Sequence, residues 1–447
     1  MNFLDKLIIP LSPKHIMLLH YLLMLTFSLF ILYTSILLSG TFFSLYFKNK
    51  GLRENNLNKI RFSKDIMEVV TINKSMGIVL GILTLLTSIL IFVQLLNAGQ
   101  ASAISYLFTS LLLLIIGLVL VYTYLYSLKF TEVFDAIKGF RSEDKSIEDE
   151  ISELYSGSRH LSSSSGKFGF IFLFISVWFF IAGSTLPVYP DKFSAGNILS
   201  VLLSWLVISR FIQTIFISGA FTGATLLFVF FYWDEGRKFN SEEYKSMVRS
   251  FSIRLTFTSI IILPIFLLIN LVTLPSDSLS AAVFFYSSAA LVLIFLAYHY
   301  LYVMIRNQNI KYSLHIFVTV IVVIVAIVIK DQLALTNANE MQTVVMGAKY
   351  EEVMQKLMGA NKAPKISGED IYKNICSSCH SFDHKVVGPP YKQTLPKYKG
   401  NVDKLVAFIL HPTQNNPGYP PMPNPGLNPA QAKAVATYIL SEVKKYE

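Results

Sequence analysis

Apolar residues form long runs over the first three quarters of the chain, and these runs stop near residue 330. Eight runs reach about 20 or more residues, the length that a helix needs to cross a bilayer. They lie near residues 16–47, 76–97, 103–128, 167–187, 198–232, 253–275, 280–304 and 312–330. The first, at about 30 residues, is too long for the apolar part of a cleaved signal peptide. The pattern predicts a membrane domain of about eight helices over residues 1–330, with 198–232 interpreted as one long or tilted helix.

The rest of the chain has a different pattern. Residues 331–365 are polar and predict a linker, with one helix through "MQTVVMGAKYEEVMQKLM", and residues 366–447 predict a small α-helical domain. In that domain "NVDKLVAFILHP" has helical spacing after an Asn401 cap, and "NPAQAKAVATYILSEVKKY" predicts a final amphipathic helix with Pro429 near its start. The apolar face expected for this last helix comprises Ala434, Val435, Tyr438 and Ile439. The predicted fold class is therefore all-α.

Composition and charge agree with a membrane protein and give it an orientation. Only 15% of residues are charged, against roughly 25% in soluble domains. Lys and Arg number seven in 48–75, six in 129–167, five in 233–254 and two in 305–311. The alternate connections carry only Lys192, so the basic loops are expected on the cytoplasmic side and both chain ends outside. Because 20 of the 38 basic residues lie in these loops, the net charge of +10 does not indicate a nucleic-acid partner.

The two cysteines of the chain lie in one motif, "NICSSCH", as Cys376 and Cys379 followed directly by His380. Cys-x-x-Cys-His is the attachment signature of c-type haem, with two thioether bonds to the porphyrin and the histidine as the proximal iron ligand. A redox dithiol or half of a zinc site would use the same spacing, but the expected context of neither is present. We expect one covalent haem c. Its attachment outside the cytoplasmic membrane agrees with the orientation from charge, and so predicts a multi-pass protein of the bacterial inner membrane with a periplasmic C-terminal domain.

A second axial ligand is expected downstream of the motif. Met422 lies in the proline-rich stretch "YPPMPNPG", which would present its thioether rigidly to the far face of the iron, and Met/His ligation raises the reduction potential. Alternatively Met422 only packs, as most methionines do, and His411 or His384 is the ligand. His384 is four residues past His380 and is poorly placed to reach the opposite face. Met422 is the favoured ligand.

Residues 366–447 resemble a class I monohaem cytochrome c. The opening "GEDIYKNICSSCH", the "GPP" turn, the "YPPMPN" methionine loop and the closing helix stand in the order of that family. The resemblance implies that the carbonyl of Pro389 accepts a hydrogen bond from the proximal histidine. It also implies a domain that carries electrons and does not transform a substrate.

Histidines and one arginine are the chemical candidates in the membrane domain. His20 lies at the outer end of helix 1, and His299 and His315 lie near the inner ends of helices 7 and 8, where they could ligate a haem b or be wet interfacial side chains. Arg210 is a charge inside a predicted helix. It is expected either to face a cavity, a partner or a haem propionate, or to extend to the outer interface.

The membrane domain also resembles the large subunit of cytochrome bd-type quinol oxidases, although over fewer residues. The stretches "LLHYLLMLTFSLF" and "SRFIQTIFISGAFTGATLLFVFFYWDEGRKF" carry the resemblance. It implies that His20 would ligate a high-spin haem. The position of the low-spin haem ligand is Gln213, and glutamine is not a useful axial ligand. Because the glutamates of helices 2 and 3 and the long quinol loop are also missing from the sequence, dioxygen reduction by this chain alone is not expected.

These observations favour a membrane-anchored c-type cytochrome subunit over a self-contained enzyme. It would relay electrons at the periplasmic face of a respiratory complex, with other membrane subunits and a periplasmic redox protein as partners. The alternative is a quinol:cytochrome c oxidoreductase or bd-like oxidase subunit, with haem b and a quinone site in the bundle. A transporter or sensor fused to a cytochrome would need more intramembrane charges and broken helices than Arg210 and Pro264 provide.

Overall fold

The structure is a computed structural model, and its described residues are entirely without β-strands. It describes residues 11–71, 74–96, 101–137, 145–193, 197–233, 236–237, 239, 241–307, 309–357, 367–399, 401–413 and 418–446. The described chain divides into two compact units. One comprises His20–Ala338, and the other comprises the residues up to Leu19 and from Asn339 onwards.

Twelve helices precede Asn339 in the described residues. They are α1 Pro13–Arg53, α2 Leu57–Val70, α3 Lys74–Met76, α4 Thr84–Leu95, α5 Ala101–Ile137, α6 Lys145–Thr185, α7 Pro190–Phe193, α8 Ile198–Leu202, α9 Trp205–Phe231, α10 Glu242–Val272, α11 Ala281–Arg306 and α12 Ser313–Ala338. A π-helical segment, Gly77–Leu83, joins α3 to α4 without a break. Among the described residues, eight helical segments are long and apolar enough to cross a membrane, which confirms the predicted number.

The stretch 198–232 is not one helix, and that prediction was wrong. A short helix, α8, ends at Leu202, and α9 begins at Trp205. Ser204 is the reason for the break, because its backbone is extended and its side-chain oxygen accepts a hydrogen bond from the backbone N–H of Val207. An N-cap of this kind starts a new helix. Only α9 is long enough to span.

Small residues allow α9 and α10 to approach closely. Gly219 and Gly223 are one helical turn apart on α9, and both face α10. A Cβ on Gly223 would lie less than 3.0 Å from Thr256 Oγ1, Thr256 N and Ser252 O. In a bilayer the apolar surroundings do not drive helices together, so close backbone packing between small residues contributes much of the association.

The C-terminal unit contains a second set of helices. They are α13 Glu340–Leu357, α14 Gly368–Ile371, α15 Tyr391–Thr394, α16 Val402–Leu410 and α17 Pro429–Glu442, with a π-helical segment Tyr372–Cys376 directly after α14. The predicted Asn401 cap is present, because its side chain accepts a hydrogen bond from Lys404 N. Asn428, which was not predicted as a cap, forms a capping box with Gln431. The predicted start of the domain at residue 366 lies outside the described residues.

The core of this unit lies between α16, α17 and the haem-motif segment. Its buried residues include Ile375, Leu405, Leu427, Val435 and Ile439. On α17 the face is partly the predicted one. Val435 and Ile439 are buried, Ala432 and Ala436 are buried as well, and Ala434 and Tyr438 are only partly buried. Val344 of α13 packs against this core, so the helix expected in the linker belongs to the C-terminal unit.

Candidate functional site

Cys376 and Cys379 stand where a helix ends in a tight turn. The π-helical segment ends at Cys376, and the carbonyl of Cys376 accepts hydrogen bonds from Cys379 N at 3.2 Å and His380 N at 2.8 Å. Both cysteines are free thiols and partly buried. The turn therefore holds the two sulfur atoms and the imidazole on one short, internally hydrogen-bonded segment.

The His380 ring is held by contacts on several sides. Its Nδ1 lies 3.0 Å from the carbonyl oxygen of Pro389. Its ring stacks on Tyr391, with centroids 5.0 Å apart and an angle of 13° between the planes. Gly388 lies so close that a Cβ there would be less than 3.0 Å from three atoms of the imidazole. A proton on Nδ1 donated to Pro389 leaves Nε2 with the lone pair that binds a metal.

The loop between His380 and Pro389 is closed by backbone hydrogen bonds. The Cys379 carbonyl accepts from Val387 N at 3.2 Å and from Gly388 N at 2.8 Å. Just beyond, Tyr391 N donates to Ser381 O at 2.9 Å. These bonds return the chain to the motif, and this return brings the Pro389 carbonyl to the imidazole.

The Cys376 thiol does not have the properties of a redox-active cysteine. Burial raises its pKa to about 11, although a hydrogen bond with Tyr391 acts in the opposite direction. Reactive dithiols instead have lowered pKa values, because the thiolate is the nucleophile. No group of three or more His, Cys, Asp or Glu residues capable of holding a metal ion occurs in the described part of the chain. The raised pKa of Cys376 thus agrees better with haem attachment than with a dithiol switch.

Met422 lies in an irregular segment that is anchored at two points. The Asn424 side chain donates to Leu410 O at 3.2 Å and accepts from Gly426 N at 2.9 Å. Gly426 has φ +68°, a conformation that favours glycine. The side chain of Met422 is partly buried, and Leu427 after it reaches the core.

The two alternative histidines are on the surface. His384 is exposed, and its Nδ1 lies 2.7 Å from Asp383 Oδ1 and 3.1 Å from Ser381 Oγ. His411 is exposed and follows the last residue of α16. The contact with Asp383 engages only Nδ1 of His384, so it does not separate the two histidines as iron ligands.

The residues of the C-terminal site fit a covalently attached haem. Two free thiols, an imidazole whose Nδ1 is already engaged, and a glycine that leaves room for the imidazole are present together. Tyr391 and Gly388 were not found from the sequence as supports of His380. The "GPP" motif pointed to the right loop, but nothing in the local pattern marked Tyr391.

The membrane candidates separate into a buried group and an exposed pair. Arg210 and Gln213 are buried on α9, and Arg210 Nη1 lies 3.9 Å from Asp331 Oδ1 on α12. His20 is partly buried, with Nδ1 3.1 Å from Thr336 Oγ1. Arg210 is therefore buried within the bundle and faces Asp331. Lys330, fully buried beside Asp331, was not found from the sequence.

His299 and His315 are both exposed side chains. The ring of Tyr300 has its centroid 6.5 Å from that of His299 and 5.5 Å from that of His315. Tyr312 stacks on Tyr300, with ring centroids 5.4 Å apart. The two histidines thus lie in an aromatic patch on the surface of the membrane unit.

Comparisons with known proteins agree with the C-terminal site. Residues 366–442 match the sequence model of the Cytochrome c family. Cytochrome c-551 of Azotobacter vinelandii is 38% identical over 79 residues, covering 17% of this chain and 96% of that protein. Cytochrome c-551 of Allochromatium vinosum is 40% identical over 72 residues, covering 15% and 77%. Cytochrome c-552 of Hydrogenobacter thermophilus is 38% identical over 69 residues, covering 15% and 70%.

No solved structure matches the chain significantly. This chain covers more than two thirds of the length of each of these three relatives. The family match lies within the C-terminal unit. A cytochrome c domain implies haem c and electron transfer. Through residues 366–442, the chain belongs to the cytochrome c family.

Proposed function

We propose that the chain is a membrane-anchored c-type cytochrome subunit that relays electrons within a respiratory complex. The observation that carries the proposal is the His380 imidazole held on the Pro389 carbonyl, directly after two free thiols, in a chain with eight helices long enough to span a membrane. An electron-transfer site anchored in this way stays at one membrane face, where it can meet partners by lateral diffusion.

Each side chain of the site has a distinct role in this proposal. Cys376 and Cys379 would hold the porphyrin covalently, and His380 Nε2 would bind its iron. The Pro389 carbonyl holds the Nδ1 proton, which orients the ring and makes it a more basic ligand. Met422 would supply a further ligand to the iron, and Met/His ligation would raise the reduction potential. When bound, haem c supplies a one-electron iron couple.

The proposed location is the bacterial inner membrane, with the cytochrome domain in the periplasm. The support is the distribution of Lys and Arg, of which 20 out of 38 lie in the four loops expected inside. An even number of spans then places both chain ends outside. Covalent haem attachment on the outer side is consistent with this topology.

The proposed partners are other membrane subunits and a periplasmic redox protein. Lysines 385, 392, 397 and 399 are exposed near the haem motif. Two of them contact aromatic rings. Lys385 Nζ lies 4.7 Å from the centroid of the Tyr419 ring, and Lys397 Nζ lies 5.1 Å from that of the Tyr398 ring. Exposed lysines of this kind can steer an approaching protein.

One observation supports the second candidate, a quinol:cytochrome c oxidoreductase or bd-like oxidase subunit with haem b in the bundle. His20 Nε2 is buried without a hydrogen-bond partner among the described residues, while Nδ1 contacts Thr336. An imidazole in this state could ligate an iron in the membrane. Quinone would then be a substrate, and the bundle would carry more than an anchoring role.

A haem inventory of the purified protein tests the two candidates. Acid-acetone extraction separates non-covalent haem from covalent haem c, and a pyridine haemochrome spectrum quantifies each fraction. The proposal expects one covalent haem c per chain and no extractable haem. Extractable haem in stoichiometric amount that is lost in His20→Ala would favour the second candidate. Absence of covalent haem would reject both candidate functions. A double variant with Cys376→Ser and Cys379→Ser serves as the negative control.

A further inference from the structure

A small polar cavity lies inside the membrane unit, among the apolar side chains of four helices. It has a volume of about 50 Å³ and lies between α1, α6, α9 and α12. Its apolar walls include Phe27, Phe180 and Ile217. Polar side chains line the remaining wall, namely Ser184, Arg210, Gln213, Thr214, Asp331 and Gln332. Polar groups so placed are costly in a membrane and usually serve a function.

Charges of both signs meet at this wall. Arg210 is 9% exposed, and its Nη1 lies 3.9 Å from Asp331 Oδ1. Lys330 is 0% exposed, and its Nζ lies 2.7 Å from the same carboxylate oxygen. Tyr189 adds a weaker contact, since its hydroxyl lies 3.5 Å from Arg210 Nη2. Two cations therefore share one carboxylate.

Asp331 is the only carboxylate among the described residues that line the cavity. Helices α1 and α9 contain no Asp or Glu, Asp331 is the only acid of α12, and α6 has none after Glu153. With both basic side chains protonated, the group of Arg210, Lys330 and Asp331 carries one excess positive charge. Burying an uncompensated charge in an apolar medium is costly.

Gln213, which lines this cavity, has a buried hydrogen-bond donor without a partner among the described residues. Ser209 Oγ donates to Asn270 Oδ1 at 2.8 Å, and Asn270 Nδ2 donates to Gln213 Oε1 at 2.5 Å. This chain fixes the Gln213 amide with its Nε2 directed away from Asn270. Gln213 Nε2 is buried without a partner among the described residues, as is Gln332 Oε1. An unsatisfied buried donor beside excess positive charge suits an anion, and an unsatisfied acceptor suits a water.

The size of the cavity restricts the ligand. A cavity of about 150 Å³ is needed to hold a benzene ring, so 50 Å³ excludes a quinone ring or a haem. A cavity of about 10–15 Å³ already holds one water. The 50 Å³ here therefore has room for a small ion together with a water.

We propose that this cavity binds a small inorganic anion of halide size, held by Arg210 and the Gln213 amide and balanced by Lys330. The anion compensates the excess charge, and a water bridges it to Gln332. The site is separate from the haem c site, and its existence does not depend on the proposed electron-transfer function.

Thermal unfolding of the purified full-length protein provides the first test. Melting temperature is measured in chloride, bromide and gluconate at constant ionic strength, because a ligand that binds only the folded state stabilises it with increasing concentration. We expect halides to raise the melting temperature above that in gluconate. The concentration for half of this effect should increase at least tenfold in Lys330→Met and in Arg210→Gln. Lys192→Met removes an exposed lysine near Tyr189 and should behave as the wild type.

A crystallographic test on the wild type needs no variant to fold. Crystals grown in bromide should show an anomalous peak within the cavity, next to Arg210 and Gln213. Equal melting temperatures in the three salts together with no bromide peak would overturn the proposal and indicate an uncharged Lys330. A halide effect unchanged in both Lys330→Met and Arg210→Gln would also overturn it. Loss of extractable haem in these variants, without any halide effect, would assign the cations to a cofactor carboxylate instead.

Discussion

His380 depends on neighbours that do not bind metal themselves. Pro389 accepts its Nδ1 proton, Tyr391 stacks on its ring, and Gly388 leaves the space that the ring occupies. A ligand held on three sides loses little conformational freedom when it binds iron, and its orientation is set before the metal arrives. The properties of the site are therefore expected to respond to substitutions that leave every ligand in place.

Gly388→Ala is the sharpest of these substitutions. The added methyl group would overlap three atoms of the imidazole, so either the ring or the Pro389 carbonyl must move. We expect the domain to lose about 1–3 kcal/mol of unfolding free energy, the usual cost of overpacking. Guanidinium unfolding followed through haem absorbance measures it. Val387→Ala is the control, since Val387 is 51% exposed, and an equal loss in both variants would contradict the role given to Gly388.

Met422→Ala tests the second axial ligand. Loss of the thioether should abolish the methionine-to-iron charge-transfer band and lower the reduction potential, because Met/His ligation raises it. Redox titration and visible spectroscopy of the oxidised protein measure both. His411→Ala and His384→Ala should retain the band. Its persistence in Met422→Ala would transfer the ligand role to another residue.

The residues of the haem motif could be found from the sequence, but the residues that hold His380 in place could not. Cys376, Cys379 and His380 are recognisable because the porphyrin dictates their spacing. Tyr391 has no such constraint, since any chain path that returns to the motif could supply the ring. Lys330 was hidden for a related reason. It stands at the end of an apolar run, and only the packing of α12 against α9 shows that it is buried.

At the level of elements, capping determines where helices begin in both units. Ser204 starts α9 and so divides a stretch whose hydropathy alone suggests one helix. Asn428 and Gln431 start α17 with a reciprocal pair of side-chain to backbone bonds. Hydropathy indicates how long an apolar run is, whereas the cap residue determines where the helix begins. The eight spans could therefore be predicted, but not the break before Trp205.

Asn428→Ala tests the cap of α17. Removal of the side-chain acceptor leaves the Gln431 N–H without its partner, and we expect a loss of about 1 kcal/mol in the unfolding free energy of the cytochrome domain. Because Val435 and Ile439 of this helix are in the core, the loss should appear in global unfolding. Asn428→Ser should restore most of it. An Asn428→Ala protein as stable as the wild type would show that core packing alone determines the start of α17.

Gly223→Val tests the contact between α9 and α10. The added side chain would overlap Thr256 and the Ser252 carbonyl, so the two helices must separate. We expect a destabilisation of about 1–3 kcal/mol, measured as a lower thermal-unfolding temperature in detergent. Gly157→Val is the control, because nothing lies within 4 Å of a Cβ at that position. A similar effect in both would mean that the loss reflects helix propensity and not the packing of α9 on α10.

At the scale of the whole molecule, the count of spans and the location of charge must agree on one topology. If the eight candidate spans of the described residues all cross the membrane, both ends of the membrane domain lie on one side. The loops 48–75, 129–167, 233–254 and 305–311, which hold 20 of the 38 basic residues, are then expected on the other side. A ninth span would divide these loops between the two sides of the membrane. The charge pattern therefore agrees with a break at Ser204 that leaves α8 outside the spans.

Fusions of reporter proteins test this topology. Alkaline phosphatase folds only outside the cytoplasmic membrane and green fluorescent protein only inside, so a fusion at the C-terminus should give phosphatase activity without fluorescence. A fusion within 233–254 should give the reverse. The physical reason is that moving five basic residues across the membrane is costly, whereas 275–280, which holds no Lys or Arg, is expected outside. Fluorescence from the C-terminal fusion would place the haem motif in the cytoplasm and contradict a periplasmic electron relay. Phosphatase activity there, together with one covalent haem per chain, would leave the redox partner as the next component to identify.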